Sequence, residues 1–537
     1  MKIHWIWLFF MGLSGSISAQ SITDDFEGNG NIDSWIGDDC NLKIDVDNPF
    51  KKDKNNSSKV LEYQDYGGKF ANIRFDAGNN FTLLGSSVFS FKIYVPSNSL
   101  TGNQTNQVSL KLQNATLATP WINQSSIVKE IKLDEWQTVT FDFATDFIIN
   151  FDANSRRPIE RLDFNRVLIQ VNGEDNNDQV TAYIDDFLYA YNGLPEHPFT
   201  KLVWSDEFEI EGAVNPENWH HQTIFPNGFS WYNDEIQHYT DRIENSFVKD
   251  GNLNILAKKE DYTDQNVLKN YTSARLNSKF AFTYGRVEIR AKLPTGVGTW
   301  PAMWMLGQNI NEKGAYWQTR GMGDTPWPAC GEIDIMEHWG DNQNWVTSAT
   351  HTPSSHGNTI NVGGQILLTA SEDFHLYTLE WTEDYMVFKV DEKAHLILSP
   401  KEKTSANWPF DQNQYLVLNV AIQPHIDPAF VESALEIDYI RVYQETSTSA
   451  EDQKYEKRYQ VYPNPAENEL VVELNYTPSE PLNFSFFDMA GNMVSHMSSI
   501  NSNKIFRIPL SERFKPGIYI INIQDEEKIT SQKFFRK

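Results

Sequence analysis

The sequence predicts an all-β protein of three units. Short runs of alternating, β-branched and aromatic residues recur between Asn, Asp and Gly clusters, and long stretches of 3.6-residue periodicity are missing. At 537 residues the chain exceeds the roughly 100–200 residues of one domain. Two breaks interrupt the strand pattern: Gly193 to Pro198, with two prolines, and the polar stretch Glu445 to Glu456.

The elements follow in order. Lys2, an apolar run from Ile6 to Leu13 and the small-residue exit Ile17, Ser18, Ala19 resemble a secretory signal over 1–19, cleaved after Ala19. That run is shorter than the roughly 20 residues a spanning helix needs, and no second candidate follows, so no membrane span is expected. Residues 21–194 form a β-unit of sandwich size, 199–444 a larger one, 445–456 a linker, and 457–537 a small unit with strands near Glu469, Phe484, Ile505, Ile518 and Gln532. From Gly285 to Leu293, Val287, Ile289, Ala291 and Leu293 alternate with Arg286, Glu288, Arg290 and Lys292, which predicts one wet face. The apolar run Leu416 to Ile422 predicts a buried strand. Cys40 and Cys330 are too few for a disulfide scaffold and read as free, buried thiols.

Composition narrows the partners. Lys plus Arg number 45 against 72 Asp plus Glu, a net charge of −27, which repels phosphate backbones and anionic lipid; no nucleic-acid partner is expected. With 40% hydrophobic residues the chain has the apolar surface for cores. The 16 Trp exceed what cores need, and flat rings also stack on sugar faces.

The chemistry concentrates in Gly331-Glu332-Ile333-Asp334-Ile335-Met336-Glu337-His338-Trp339-Gly340. On a regular strand Glu332 and Asp334 share a face and Glu337 points away. A β-bulge at Ile335 and Met336 would return Glu337 to the carboxylate face; a helix would scatter the acids. Counting the bulge as one step puts the two glutamate Cα atoms roughly 13 Å apart, close enough for inward-leaning carboxyls to reach the separation of about 5 Å used in double displacement. Spacing alone leaves a calcium site or a solvated face open. The aromatic setting decides, because eleven of the sixteen Trp lie between Trp204 and Trp408, with Trp300, Trp304, Trp317, Trp327 and Trp339 around the acids.

At this point the sequence resembles glycoside hydrolase family 16, whose signature strand is Glu-x-Asp-x-x-Glu in the bulged subgroup. Trp231-Tyr232-Asn233-Asp234-Glu235-Ile236-Gln237, Tyr271 to Arg275, Trp300-Pro301-Ala302-Met303-Trp304-Met305 and Glu436 to Tyr443 are similar to the laminarinase branch, over about 199–444. The resemblance implies a β-jelly-roll sandwich with a concave cleft and retaining endo-hydrolysis of β-1,3-glucan. It implies Glu332 as nucleophile, Glu337 as acid/base and Asp334 as assistant. By position Asn233, Arg275, Trp300, Trp304 and His351 would contact sugar. No cofactor is implied for catalysis; a structural Ca²⁺ on the convex side would take the carbonyls of Glu209 and Gly251 and Asp438. Two departures bear on substrate fit: Ala421-Ile422-Gln423-Pro424-His425 replaces a Gly- and Trp-rich loop, and Asn309 to Ala329 is long enough to reshape the cleft. Mixed-linkage glucan, an algal galactan, or glucan binding without catalysis are the alternative readings.

The flanks carry weaker resemblances. Asp24 to Gly28 and Tyr183 to Phe187 look like the paired end strands of jelly-roll carbohydrate-binding modules, with Trp35, Trp121 and Trp136 as candidate platforms; a ligand-free spacer is the alternative. Val461-Tyr462-Pro463-Asn464-Pro465, Gly517-Ile518-Tyr519-Ile520 and the basic end Lys533 to Lys537 resemble the C-terminal sorting domain of type IX secretion. That implies export through the periplasm of a Bacteroidetes-type bacterium to the surface or medium, with the secretion machinery and a β-glucan as partners and the enzyme itself a monomer.

Overall fold

The computed structural model describes residues 21–445 and 459–537, save 53, 191–193, 196, 463–465, 475–481, 489–492, 499–503, 512 and 526–527. The expected signal segment, most of the linker and Pro463 to Pro465 thus lie outside the described residues. Residues up to Gln444 form one compact unit and those from Glu445 another.

The protein is built almost wholly of antiparallel strands, as the alternating pattern predicts. The first part of the larger unit stacks two six-stranded sheets. Ile22–Asp24 pairs with Gln179–Tyr189, Asp24 opposite Phe187, so the two quoted end segments do meet. Between the sheets lie Phe75, Phe89, Phe91, Leu110, Ile169 and Tyr189.

From Phe199 onward an eleven-stranded sheet packs on a seven-stranded one, a β-jelly-roll sandwich. The seven-stranded sheet runs Trp219–His221, Arg275–Phe282, Gln414–Ile422, Thr299–Gly307, Glu332–His338, Trp345–His351, Val362–Ile366. Gln414–Ile422, the third of the seven, is flanked on both sides and buried along its whole length, which is why its sequence shows no alternation.

Gly285–Lys292 turns Val287, Ile289 and Ala291 into the core as its period-2 pattern requires. Its other face is drier than expected. Arg286 is only 6% exposed, donating to Glu288 at 2.7 Å, Glu380 at 2.6 Å and Glu392 at 2.6 Å. Lys389 also donates to Glu380, at 2.6 Å. Both cysteines are free, but only Cys330 is fully buried; Cys40 is half-buried. Burial pushes each thiol up to about 12, so neither is a ready nucleophile.

The two halves of the larger unit are bonded together. Leu84 and Leu162 pack with Tyr385, Val387 and Ile397. Arg156 Nη2 donates to the carbonyls of Ile360 and Val362 at 3.0 and 2.6 Å, and Ser399 N to Glu160 Oε1 at 2.7 Å.

The C-terminal unit is a small sandwich of a three-stranded and a four-stranded sheet around Leu470, Val472, Phe484, Phe486, Phe514 and Ile521. Its strands include Glu469–Leu474, Asn483–Asp488, Ile505–Pro509, Gly517–Asp525 and Lys528–Arg536, at the five expected places. Among the described residues no helix is long and apolar enough to cross a membrane.

Candidate active site

The three acids stand where the odd spacing requires a bulge. Against Thr299–Gly307, Met336 faces Met303 and Asp334 faces Trp304, so Ile335 is the extra residue. Against Trp345–His351, Asp334 faces Ala349 and Glu337 faces Thr347, so Ile335 and Met336 together oppose Ser348. Ser348 Oγ donates to the Ile335 carbonyl at 2.7 Å, tying down one backbone group that the bulge frees. Ile335 and Met336 both enter the core. Glu332, Asp334 and Glu337 therefore share the concave face and line one cavity of about 430 Å³.

Each glutamate accepts one indole N–H. Trp327 Nε1 donates to Glu332 Oε2 at 2.9 Å, and Trp300 Nε1 to Glu337 Oε1 at 3.1 Å. His351 Nε2 lies 3.3 Å from Asp334 Oδ2 and 3.7 Å from Glu332 Oε1. Burial and the neighbouring Asp334 push the Glu332 carboxyl well above its usual range. Burial, then Glu337, does the same to Asp334. Glu337 is raised by burial, an effect offset by His351 and by the Trp300 N–H. Three carboxyls so close and so dry cannot all ionise together, and the cluster shares protons.

The expected sugar contacts divide. Asn233, Trp300 and Trp304 line the cavity. Asn233 does so from a loop in which it and Asp234 hold φ of 54° and 59°, a conformation Asn and Asp tolerate through local hydrogen bonding. Trp300 stacks on Trp339 at 4.3 Å and 18°, so one ring face is covered. Trp304 Nε1 donates to Asn419 Oδ1 at 2.7 Å. Arg275 reaches the cavity wall but is 4% exposed. It donates to Glu312 at 2.8 Å and its guanidinium lies 4.9 Å from the Trp304 ring centre, so it braces Trp304 from behind. His351 is set against the acids and does not line the cavity.

Glu312, Tyr232 and Asn419 also line the cavity, and no spacing in the sequence assigns them that place. Glu312 lies in the long stretch Asn309 to Ala329, which contributes Ile310, Asn311, Pro326 and Trp327 as well and does shape the cleft. Ala421 lines the cavity from the other departure, while His425 pairs with Asp341 at 2.9 Å.

Of the expected calcium ligands, Gly251 sits in a turn at φ 75° and Asp438 gives Oδ2 to Arg290 at 2.5 Å. Arg290 takes one of its two carboxylate oxygens. Carbonyls with one carboxylate oxygen suit a hard cation.

Carboxylates in a Trp-lined cleft on the concave face of a jelly roll define a carbohydrate-active protein, and the comparisons identify its family. The model described as glycosyl hydrolases family 16 matches residues 233–441. The beta-glucanase of Rhodothermus marinus is 41% identical over 262 residues, 46% of this chain and 86% of that protein. The glucan endo-1,3-beta-glucosidase A1 of Niallia circulans is 34% identical over 285 residues, 47% of this chain and 39% of that protein. The crystal structure of LamAcat from Zobellia galactanivorans is 47% identical, covering 46% of this chain and 98% of that one, with a TM-score of 0.42. The chain belongs to glycoside hydrolase family 16. Residues 460–537 match a secretion system C-terminal sorting domain, so the enzyme carries the address for export to the cell surface or beyond.

Proposed function

We propose that the protein is a retaining endo-β-glucanase that hydrolyses β-1,3-glucan. The observation that carries this is the bulged strand, which keeps two glutamates on one face and gives each an indole donor. With the cluster's protons on Glu337 and Asp334, the Glu332 carboxylate attacks the anomeric carbon, and Glu337 protonates the departing glycosidic oxygen. Water, deprotonated by Glu337, then cleaves the glycosyl ester and frees Glu332. Asp334, between them, holds or releases a proton as Glu332 changes charge. Asn233, Trp300 and Trp304 seat the sugar, and His351 orients the acids.

Among the charged residues lining the cavity, Arg275 is the one cation against Glu235, Glu312 and the three acids. That balance favours a neutral polymer over a sulfated galactan. Reducing-end release by the full chain on laminarin, barley mixed-linkage glucan, agarose and carrageenan tests the reading. Preference for laminarin supports it, and preference for a galactan overturns the substrate while keeping the mechanism.

Trp300→Phe removes a donor that favours the Glu337 carboxylate, so the proton stays on to higher pH. The alkaline limb of the kcat/KM profile is expected to move upward. A limb that stays or moves down counts against Glu337 as the acid.

A structural Ca²⁺ would be held by the Glu209 and Gly251 carbonyls and the Asp438 oxygen that Arg290 leaves open, and would serve stability with no part in the chemistry. EDTA is expected to remove about 1–3 kcal/mol of stability, an amount set by saturation, and so to lower the unfolding midpoint with unchanged initial rates at 25 °C. An unmoved midpoint removes the ion.

A further inference from the structure

The N-terminal sandwich has a sunken polar floor on a sheet face that should be wet. In Gln107–Gln113, Val108, Leu110 and Leu112 point into the core, so Ser109, Lys111 and Gln113 point away from it. Yet these three are 6%, 3% and 5% exposed, and Gln170 on the adjoining Phe164–Val171 is 2% exposed. Two cavities lie over this floor, of about 760 and 280 Å³, the range of small-ligand sites. They share Lys111, Gln124, Phe151 and Glu174, so they form one groove across the strands.

The floor holds unspent hydrogen-bonding capacity. Gln170 Oε1 accepts from Lys111 Nζ at 2.7 Å, but its buried Nε2 has no partner. Asn72, 7% exposed and lining the larger cavity, has an unpartnered Oδ1. Orphaned buried amides are costly unless a ligand completes them. Above the floor stand three exposed rings, Trp121, Phe151 and Phe70, at 54%, 66% and 52%. Each cation lining the groove is paired, Arg74 with Asp38 at 2.8 Å, Arg166 with Asp76 at 2.5 Å and Lys111 with Glu174, and Asp39 adds a further carboxylate. Burial also pushes the Lys111 amine down to about 7.

We propose that this groove binds a neutral pyranose polysaccharide, with Trp121 and Phe151 stacking on sugar faces and the Gln170 and Asn72 amides meeting hydroxyls. Paired charges leave nothing for a sulfated chain to neutralise, and flat rings over amide donors and acceptors match a pyranose with its apolar faces and equatorial hydroxyls. The choice of β-glucan as the first probe rests on the substrate read for the cleft; the groove itself does not.

Affinity electrophoresis of the full chain carrying Glu332→Ser, in gels containing laminarin, barley mixed-linkage glucan or carrageenan, tests this. Adding Trp121→Ala and Phe151→Ala, singly and together, is expected to weaken retardation by a neutral glucan about tenfold, as truncating an anchoring aromatic does. In the otherwise unchanged chain the same two substitutions should leave the unfolding midpoint and the rate on laminaritetraose as they were. Retardation unaffected by both substitutions, or stronger in carrageenan than in either glucan, overturns the proposal. Failure of the parent chain to hydrolyse laminarin would instead strike the cleft reading, and it is measured separately.

Discussion

Glu332→Ser is expected to bring turnover on laminarin to background, a loss on the order of 10⁴–10⁶-fold, with retardation by the glucan retained. The serine leaves the cavity walls in place but removes the group that forms the glycosyl ester. Azide or formate, small enough to enter the space vacated, should restore cleavage with inverted stereochemistry. Full activity in the variant, or lost binding together with lost turnover, would argue against Glu332 as nucleophile. The folded protein should not suffer. Glu332 is held in a dry site beside Asp334, and both raise its carboxyl, so removing this crowded acid relieves the native state.

The second large effect lies in the opposite sheet. Glu380 is 1% exposed and accepts from both Arg286 and Lys389, bonding three adjacent strands, Gly285–Lys292, His375–Trp381 and Met386–Val390. Glu380→Ala leaves two buried cations short of a partner, a loss of about 3–5 kcal/mol. The cost should fall at the lower end, because Arg286 keeps Glu288 and Glu392. In a unit of more than 400 residues each kcal/mol moves the midpoint by only about 1 °C, so the drop should be about 3–5 °C, while kcat at low temperature holds. A drop under about 2 °C would mean the network contributes little.

The acid face was legible because it rests on local counting. An odd step between Asp334 and Glu337 demands one extra residue, and two apolar side chains in a row, Ile335 and Met336, show where it goes. What escaped depended on distant partners. Arg275 has the chemistry of a sugar reader, yet Glu312, 37 positions on, ties it up behind Trp304. Trp35 and Trp136 are corrections of the same kind. Trp35 packs among Phe26, Phe75 and Phe187 and donates to Asp24 at 2.8 Å. Trp136 is 2% exposed and donates to the Phe50 carbonyl at 2.8 Å. Neither is a platform; Trp121 alone of the three stays open. The alternation of Ser109, Lys111 and Gln113 is that of an ordinary solvated face, and only the fold reveals that it lies sunken below Trp121 and Phe151.

The grip of Arg156 on Ile360 and Val362 bears on how the enzyme survives export. Val362–Ile366 is the last strand of the concave sheet, and an uncovered sheet edge invites pairing with another chain. By occupying the Val362 carbonyl at the start of this strand and the Ile360 carbonyl just before it, a residue of the N-terminal sandwich closes one end of that margin to strand addition from a neighbour. Severing the chain near Phe199 would strip the guard as well as any glycan-holding surface, leaving a hydrolase prone to self-association.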